Sequence, residues 1–567
     1  MPGFFITNTA KVPELKNYNN ANCVQGEIRY KNWTVCRNVL NKYMDDKLFE
    51  ETDEAIIILD GVILNKKELM QKYASDSWIS TFLKMRAESK SWFENFRGVF
   101  AGAVLDKKTG LWTCFTDQCG AHLLMTYSEN GNTAIGTQVN YFSDWMRLNS
   151  IERKIDSDWK NDILSYGGMR DAQTILSGVR RVYPGHYCVY DNKNGRFQEK
   201  KYYMVTKKHQ TTLSDDEIIE KLDSLFHQAI GRILDKDMEY GYKTVVDISG
   251  GLDSRMNAVT AKTENKGRLF GITYAQRNSD DQKLADKVAK KLGIESQFYP
   301  MDGGNFLADI DSYVFMNGGF NYYFGITGGK SVLELLDPAK FGAEIWGLLG
   351  TIHNGAIGAI DDEKTQWTYK DWRISQRYDV DEKPRNAHEH EDNELLWHYI
   401  RGMLIGMNTG LIRQNFVEPI TAYGDVEFMD FYFSIPNRKR VKEDINRKWM
   451  LKKYPFIAKI PNSRTGLPVM NGKIERILAL PRRLFRGICH HIFGFQKKSW
   501  SMNPVEQWYK GNPVLKEKIN QYYNDNIETV SIDEELSCKT RELFTDGNIT
   551  EKLLAVTVLS AVKQYVL

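Results

Sequence analysis

The sequence is short of several things that would have simplified its reading. No apolar run reaches the length of a membrane span, which sets aside an integral membrane helix. The start, MPGFFITNTAKVPELK, lacks the basic stretch and long apolar core of a secretory signal, so the cytoplasm is the expected compartment. Seven cysteines are scattered, and none forms a CxxC pair, which excludes a disulfide framework and a zinc-finger site. Charge of one sign is also scarce. The 76 basic and 73 acidic residues leave a net +3, too little to point to nucleic acid or any other polyanion. What remains is 567 residues, 42% hydrophobic and 26% charged, the composition of a soluble protein too long for a single core.

The informative stretch is Lys243–Arg255, KTVVDISGGLDSR. Thr244, Val245, Val246 and Ile248 read as a buried strand. Ser249-Gly250-Gly251-Leu252-Asp253-Ser254 then forms a turn, and Arg255 onward reads as a helix. Strand, glycine turn and helix N-terminus make a phosphate cradle, with Ser249 and Ser254 as further donors. Asp253 suits such a site by holding Mg²⁺ against the phosphates. The alternative is a serine-capped turn without a ligand. No Gly-Lys-Ser/Thr follows, so this is not a Walker A loop. The six residues resemble the PP-loop of ATP pyrophosphatases, which release AMP and pyrophosphate from ATP.

Residues 1–205 read as β-rich. Ala55–Leu59 is a strand ending in a turn at Asp60-Gly61, followed by strands at Val99–Leu105, Leu111–Thr116, Ala134–Val139 and Val182–Val189. The ordered segments Leu59-Asp-Gly61 with Glu68-Leu69, Phe96–Gly102, Phe115–Gly120 and Tyr183-Pro-Gly-His186 resemble the glutaminase domain of class II glutamine amidotransferases. Asparagine synthetases place that domain directly before a PP-loop domain. The resemblance implies an α+β, Ntn-hydrolase-like αββα sandwich over 1–205. It implies an α/β PP-loop domain with a helical C-terminal part over 206–567.

The resemblance also shows departures. The family's N-terminal cysteine nucleophile is replaced here by Met1-Pro2, and its oxyanion-hole Asn-Gly by Asp60-Gly61, a carboxylate that would repel the developing charge. The domain therefore reads as a glutaminase fold without glutaminase activity, as in β-lactam synthetases and lasso-peptide cyclases.

Downstream, Leu213–Glu217 caps an amphipathic helix that leads into the loop. Arg268–Tyr274 is a second strand, followed by Asp280-Asp281 and a helix over 284–292. This alternation predicts a parallel sheet with helices on both faces. By resemblance, Ile272 contacts adenine through its backbone. Phe341–Gly350 is a third strand candidate, with Gly347 and Gly350 placed for close approach to AMP. The acidic Mg²⁺ ligand expected after it falls on Thr351, with Asp361, Asp362 and Glu363 close behind. His388 and His390 read as part of a solvated, charged loop rather than a metal site. Arg464 is the nearest match to the lysine that stabilises charge on the acyl-adenylate transition state, or else a basic loop residue. Residues 473–500 combine basic and apolar side chains. A core-packed helix is the first reading and peripheral contact with an anionic membrane the second.

These features imply an asparagine synthetase-like amide-forming enzyme that uses ATP and Mg²⁺. Its site residues are Ser249, Gly250, Gly251, Asp253, Ser254, Ile272 and Gly347 for nucleotide, Asp253 for metal and Arg464 for catalysis. The acceptor is a small-molecule, glycan or peptide carboxylate. Nitrogen comes from ammonia, an amine or a partner glutaminase. A non-catalytic nucleotide-binding scaffold and a tRNA-modifying PP-loop enzyme are the alternatives, the latter disfavoured because no basic nucleic-acid module is present.

Overall fold

In the computed structural model, residues 2–18, 22–323, 327–350, 373–378, 384–491, 497 and 500–567 are described. Thr351, Asp361, Asp362 and Glu363 lie outside them, as does part of 473–500.

Two six-stranded antiparallel sheets come first. Gly3–Thr7 (β1), Cys23–Tyr30 (β2) and Trp33–Leu40 (β3) join later strands at Met125–Glu129 (β8), Asn132–Gly136 (β9) and Arg180–Arg181 (β10) in the order β10-β8-β9-β1-β3-β2. Leu48–Glu51 (β4), Ala55–Ile63 (β5), Gly98–Asp106 (β6), Leu111–Thr116 (β7), His186–Asp191 (β11) and Arg196–Lys201 (β12) form the second, in the order β12-β11-β7-β6-β5-β4. Period-two alternation sorts their side chains. Phe4, Ile6, Ile56 and Ile58 meet between the sheets. Phe5 turns outward onto the helix Val139–Leu148 (α3), and Ile57 and Leu59 turn onto Lys66–Lys72 (α1) and Trp78–Glu88 (α2). The layers are therefore helix, sheet, sheet, helix.

Three local expectations change here. Asp60 and Gly61 are not a turn. They pair with Ala101 and Phe100 inside β5, because Val62 and Ile63 keep the strand apolar beyond them. Gly61 takes φ +117, and a Cβ there would meet the Val99 carbonyl at 2.1 Å. Val139 begins α3 rather than ending a strand, and residues 182–185 precede β11 rather than belonging to it.

The third sheet is parallel, with Lys243–Asp247 (β13) at its centre. Leu269–Ala275 (β14) and Ser296–Pro300 (β15) lie to one side, and Phe341–Ile345 (β16) and Glu418–Ile420 (β17) to the other. Helices cover both faces. Val246 packs among residues of Asp215–Tyr240 (α5), Leu252–Thr263 (α6) and Asp280–Leu292 (α7). Val245 packs towards Ile310–Asn317 (α8) and the last helix, Ile549–Tyr565. The predicted cap of α5 is present: Ser214 accepts from the Glu217 N–H at 3.3 Å and Glu217 accepts from the Ser214 N–H at 2.9 Å. The third strand stops at Ile345, short of the predicted Gly350. No helix among the described residues is long and apolar enough to cross a membrane.

Candidate functional site

Chain order in the parallel sheet reverses direction at β13, so loops leaving β13 and β16 diverge and open a crevice at the strands' C-terminal ends. The Ser249–Ser254 turn occupies that crevice. Its helix starts earlier than predicted, at Leu252, which puts Asp253 and Ser254 in the first turn of α6. The turn is internally braced. Ser249 and Ser254 hydroxyls lie 2.8 Å apart, the Ser249 N–H donates to Ser254 Oγ at 3.2 Å, and the Gly251 N–H donates to Ser249 Oγ at 3.1 Å.

Gly250 is the closest point of approach. Its N–H donates to Asp281 Oδ1 at 3.2 Å, and its carbonyl accepts from the Ser463 N–H at 3.0 Å. A Cβ on Gly250 would stand 2.7 Å from Ser463 Cβ and 2.9 Å from Asp281 Oδ1, so no larger residue fits. Burial pushes the Asp281 carboxyl above its ordinary range, and the Gly250 N–H only partly offsets this. Arg255, fully buried behind the turn, donates to the Ile460 carbonyl at 2.6 Å and the Pro461 carbonyl at 2.8 Å. Burial lowers its guanidinium to about 10. Arg255 thereby latches the loop carrying Arg464 onto the phosphate turn.

Asp253 sits beside the turn after β16. A Cβ on Gly350 would lie 2.7 Å from Asp253 Cβ, and one on Gly347 would lie 3.3 Å from the Ser254 nitrogen. Leu349 between them takes φ +67, a left-handed conformation that strains a branched side chain. The Tyr423 hydroxyl donates to the Asp253 carbonyl at 3.2 Å. Beyond Asp253 opens a cavity lined by Leu252, Met256, Tyr423, Glu443, Arg447 and Trp449, among others.

Ile272 and Arg464 are less directly placed. Ile272 is buried within β14, and its carbonyl accepts from the Ile248 N–H at 2.9 Å, so that oxygen is held in the sheet. Arg464 is exposed and bonds Glu443 at 3.1 Å. His390, read as solvated, is instead half-buried, with its ring 4.7 Å from Tyr399, and burial lowers it to about 4. Among the described residues, no three His, Cys, Asp or Glu side chains gather for a metal.

Under the turn lies a cluster that sequence reasoning missed. Asp247 at the end of β13 faces Glu344 of β16, with Arg413 paired to Glu344 and 3.6 Å from Asp247. Burial, then the neighbouring Glu344 carboxylate, pushes Asp247 well above the usual range. Asp281, Arg255 and Ser463 were missed as well. The only hint was the Asp280-Asp281 pair after the second strand.

Where the β sandwich meets β17, a pocket is lined by Pro2, Lys47, Asp60, His122 and Gln138 of the sandwich and by Glu418 of the parallel sheet, among others, and no cysteine is among its lining residues. Lys47 pairs with Asp60 at 2.9 Å and His122 with Glu418 at 2.7 Å, with all but the partly buried His122 fully buried. Burial alone would raise Asp60, but Lys47 and then His122 outweigh it and hold the carboxyl below its ordinary range.

Comparison with known proteins fits this arrangement. Residues 40–203 match the glutamine amidotransferase domain family, and residues 221–319 match the asparagine synthase family. Together these two matches, in this order, support an asparagine synthetase-like family. A protein of Methanocaldococcus jannaschii named as a second asparagine synthetase (glutamine-hydrolyzing) is 23% identical over 37% of this chain and 41% of its own length. Amidase chyE of Penicillium rubens is 22% identical over 37% of this chain and 33% of its own. The matches thus span less than half of those relatives. The structure of an allosteric regulatory enzyme of purine biosynthesis covers 52% of this chain and 74% of its own at 8% identity, with a TM-score of 0.24 that carries no argument. The first match ends at the sandwich and the second begins within α5.

Proposed function

We propose that this chain joins a carboxylate to an amine at the expense of ATP, through an acyl-adenylate. The observation that carries the reading is the Ser249–Ser254 turn at the switch point of a parallel sheet, with Asp253 in the first helical turn. Two hydroxyls, a run of backbone N–H groups and a helix N-terminus suit the pyrophosphate end of ATP, and Asp253 suits one hard cation. Bound there, Mg²⁺ would supply positive charge against the phosphates. For phosphate to take the Gly250 N–H, the Asp281 carboxylate has to release it.

In the first step a carboxylate oxygen of the acceptor attacks the α-phosphorus, and the bond to the β-phosphate breaks with pyrophosphate as leaving group. In the second, an amine attacks the acyl carbon, loses a proton, and AMP departs. The cavity beyond Asp253 is the place for the acceptor: a small-molecule, glycan or peptide carboxylate. Arg464, on the latched loop, serves as the mobile cation once it leaves Glu443. The ion-paired pocket where the sandwich meets β17, with no cysteine in its lining, supports a nitrogen supply from ammonia, an acceptor amine or a partner glutaminase, without glutamine hydrolysis in this chain. The reading further assigns 1–205 and 206–567 as the two domains.

The test is ATP–pyrophosphate exchange over a panel of acceptors, alongside calorimetric titration of ATP with Mg²⁺. Exchange with at least one carboxylate is expected. A second reading, nucleotide binding without turnover, is favoured by Asp281 occupying the Gly250 N–H and by strained Leu349. Tight ATP binding without exchange on any acceptor would decide for it.

A further inference from the structure

The helix Gly472–His491 does not use its apolar stripe as core. Ile474, Ile477, Leu478, Leu484, Phe485 and Ile488 all stand exposed, Ile477 at 71% and Phe485 at 58%. At 100° per residue these six fall on one side of the helix, and Leu480, also exposed, widens that side to a little under half of the circumference. The opposite side faces the protein. Glu475 and Ala479 are buried there, and Arg482 and Arg486 both reach Asp280, at 2.7 Å and 2.8 Å. The sequence reading of this stripe as core is thus overturned: the helix is held by its polar side and presents its apolar side outward.

The charges complete the pattern. Glu475, the segment's one acid in this helix, is turned inward to Arg447, to Asn462 at 2.8 Å and to Thr465 at 2.6 Å. Arg476 and Arg483 lie together beyond Leu480, along one edge of the exposed apolar side, and are exposed, as is Lys497 beyond the helix. What the helix offers to its surroundings is apolar along the middle and positive at the edge.

We propose that this helix lies on an anionic membrane surface, with the stripe in the acyl boundary and the arginines among acidic headgroups. A contiguous apolar patch of this kind is uncommon on a freely soluble monomer. Its basic border complements anionic lipid, and the helix is far too polar on its other faces to span a bilayer. The placement has a consequence for the site. Asp280, gripped by Arg482 and Arg486, is next to Asp281, which holds the Gly250 N–H. A membrane bound by this helix would therefore be separated from Asp280 and the nucleotide crevice by the width of the helix, about 10 Å.

The experiment is co-sedimentation of the full chain with vesicles of phosphatidylcholine alone or with about one-third phosphatidylglycerol. Binding is expected to the anionic vesicles only, and to weaken at high salt. The double variant Ile477→Ser/Phe485→Ser, at exposed positions, is expected to fold normally by circular dichroism and to bind roughly tenfold more weakly. Arg476→Glu/Arg483→Glu is expected to lose the preference for anionic lipid. Failure of the intact chain to bind anionic vesicles would overturn the proposal. So would unchanged binding by the stripe variant, or light scattering that shows a second copy or an acidic protein covering the stripe. ATP titration on the same samples reads the nucleotide site separately, so loss of lipid binding and loss of nucleotide binding are distinguished.

Discussion

Two acidic residues that follow a strand's apolar run, Asp253 and Asp60, have opposite surroundings. Asp253 stands in the first turn of a helix, where aligned N–H groups favour negative charge, and it borders an open crevice. Asp60 is buried inside β5 and is neutralised by Lys47, also buried, at 2.9 Å. A carboxylate at a helix N-terminus beside a cavity is placed to act on a ligand. A carboxylate locked to a buried ammonium is placed to hold structure. Under the proposed function, the first carboxylate serves the reaction and the second serves the fold.

The sharpest way to break that comparison is Asp253→Ala. We expect a loss of about 10²–10³-fold in ATP–pyrophosphate exchange with folding intact, as for removal of one electrostatic contact to a developing charge. Comparable exchange in the variant would mean that Asp253 is no more functional than Asp60. Next is Lys47→Met, which leaves Asp60 buried without a cation. It should destabilise the chain by about 3–5 kcal/mol in urea unfolding, while exchange per folded molecule is unchanged. The pair also has a pH signature. The folded value of Asp60 is depressed, so its stabilisation is complete above the unfolded value of about 3.9 and is lost as pH falls through the lower folded value. Asp60→Asn should remove that acid limb from the stability profile.

A smaller effect is expected from Asp281→Asn. Removing a carboxylate that holds the Gly250 N–H should tighten binding of a metal-free nucleotide roughly five- to tenfold by calorimetry, since the phosphate no longer competes with a like charge. Weaker binding would show instead that Asp281 assists the ligand. The smallest effect belongs to the double variant Lys47→Met/Asp60→Leu, expected within about 1–2 kcal/mol of the parent, because replacing both partners of a buried pair avoids the stranded charge.

Much of the nucleotide site was legible because it is local. Ser249–Ser254 supplies its own hydroxyls, glycines and helix start within six residues. The α5 cap was equally local, with Ser214 and Glu217 three apart. The partners that hold the site were not legible. Asp281 reaches Gly250 from 31 positions away, and Arg255 reaches Ile460 from 205 away. No periodicity encodes such pairings. Asp60-Gly61 misled for a related reason: the dipeptide favours turns in isolation, and the β6 strand pairing along its length overrides it. The edge strand β2 was missed although Val24, Ile28 and Tyr30 alternate with the exposed Gln25, Glu27 and Arg29, because Gly26 interrupts the apolar row and none of its residues is fully buried.

The helix Gly472–His491 marks the boundary between the two kinds of information. Its sequence determined that a basic amphipathic helix would form, since the 3.6-residue spacing of its apolar side chains is an intrinsic property. In the same way, residues 243–255 determined a strand, a phosphate-shaped turn and a helix. Tertiary structure decided which way each face points and which charges are spent internally. It turned the helix's apolar stripe outward by anchoring Arg482 and Arg486 on Asp280, and it cancelled Asp60 with a lysine from another strand's approach. The reason is physical: hydrogen-bonded turns and helical periodicity arise within a few residues, whereas burial and ion pairing depend on what the rest of the chain brings alongside.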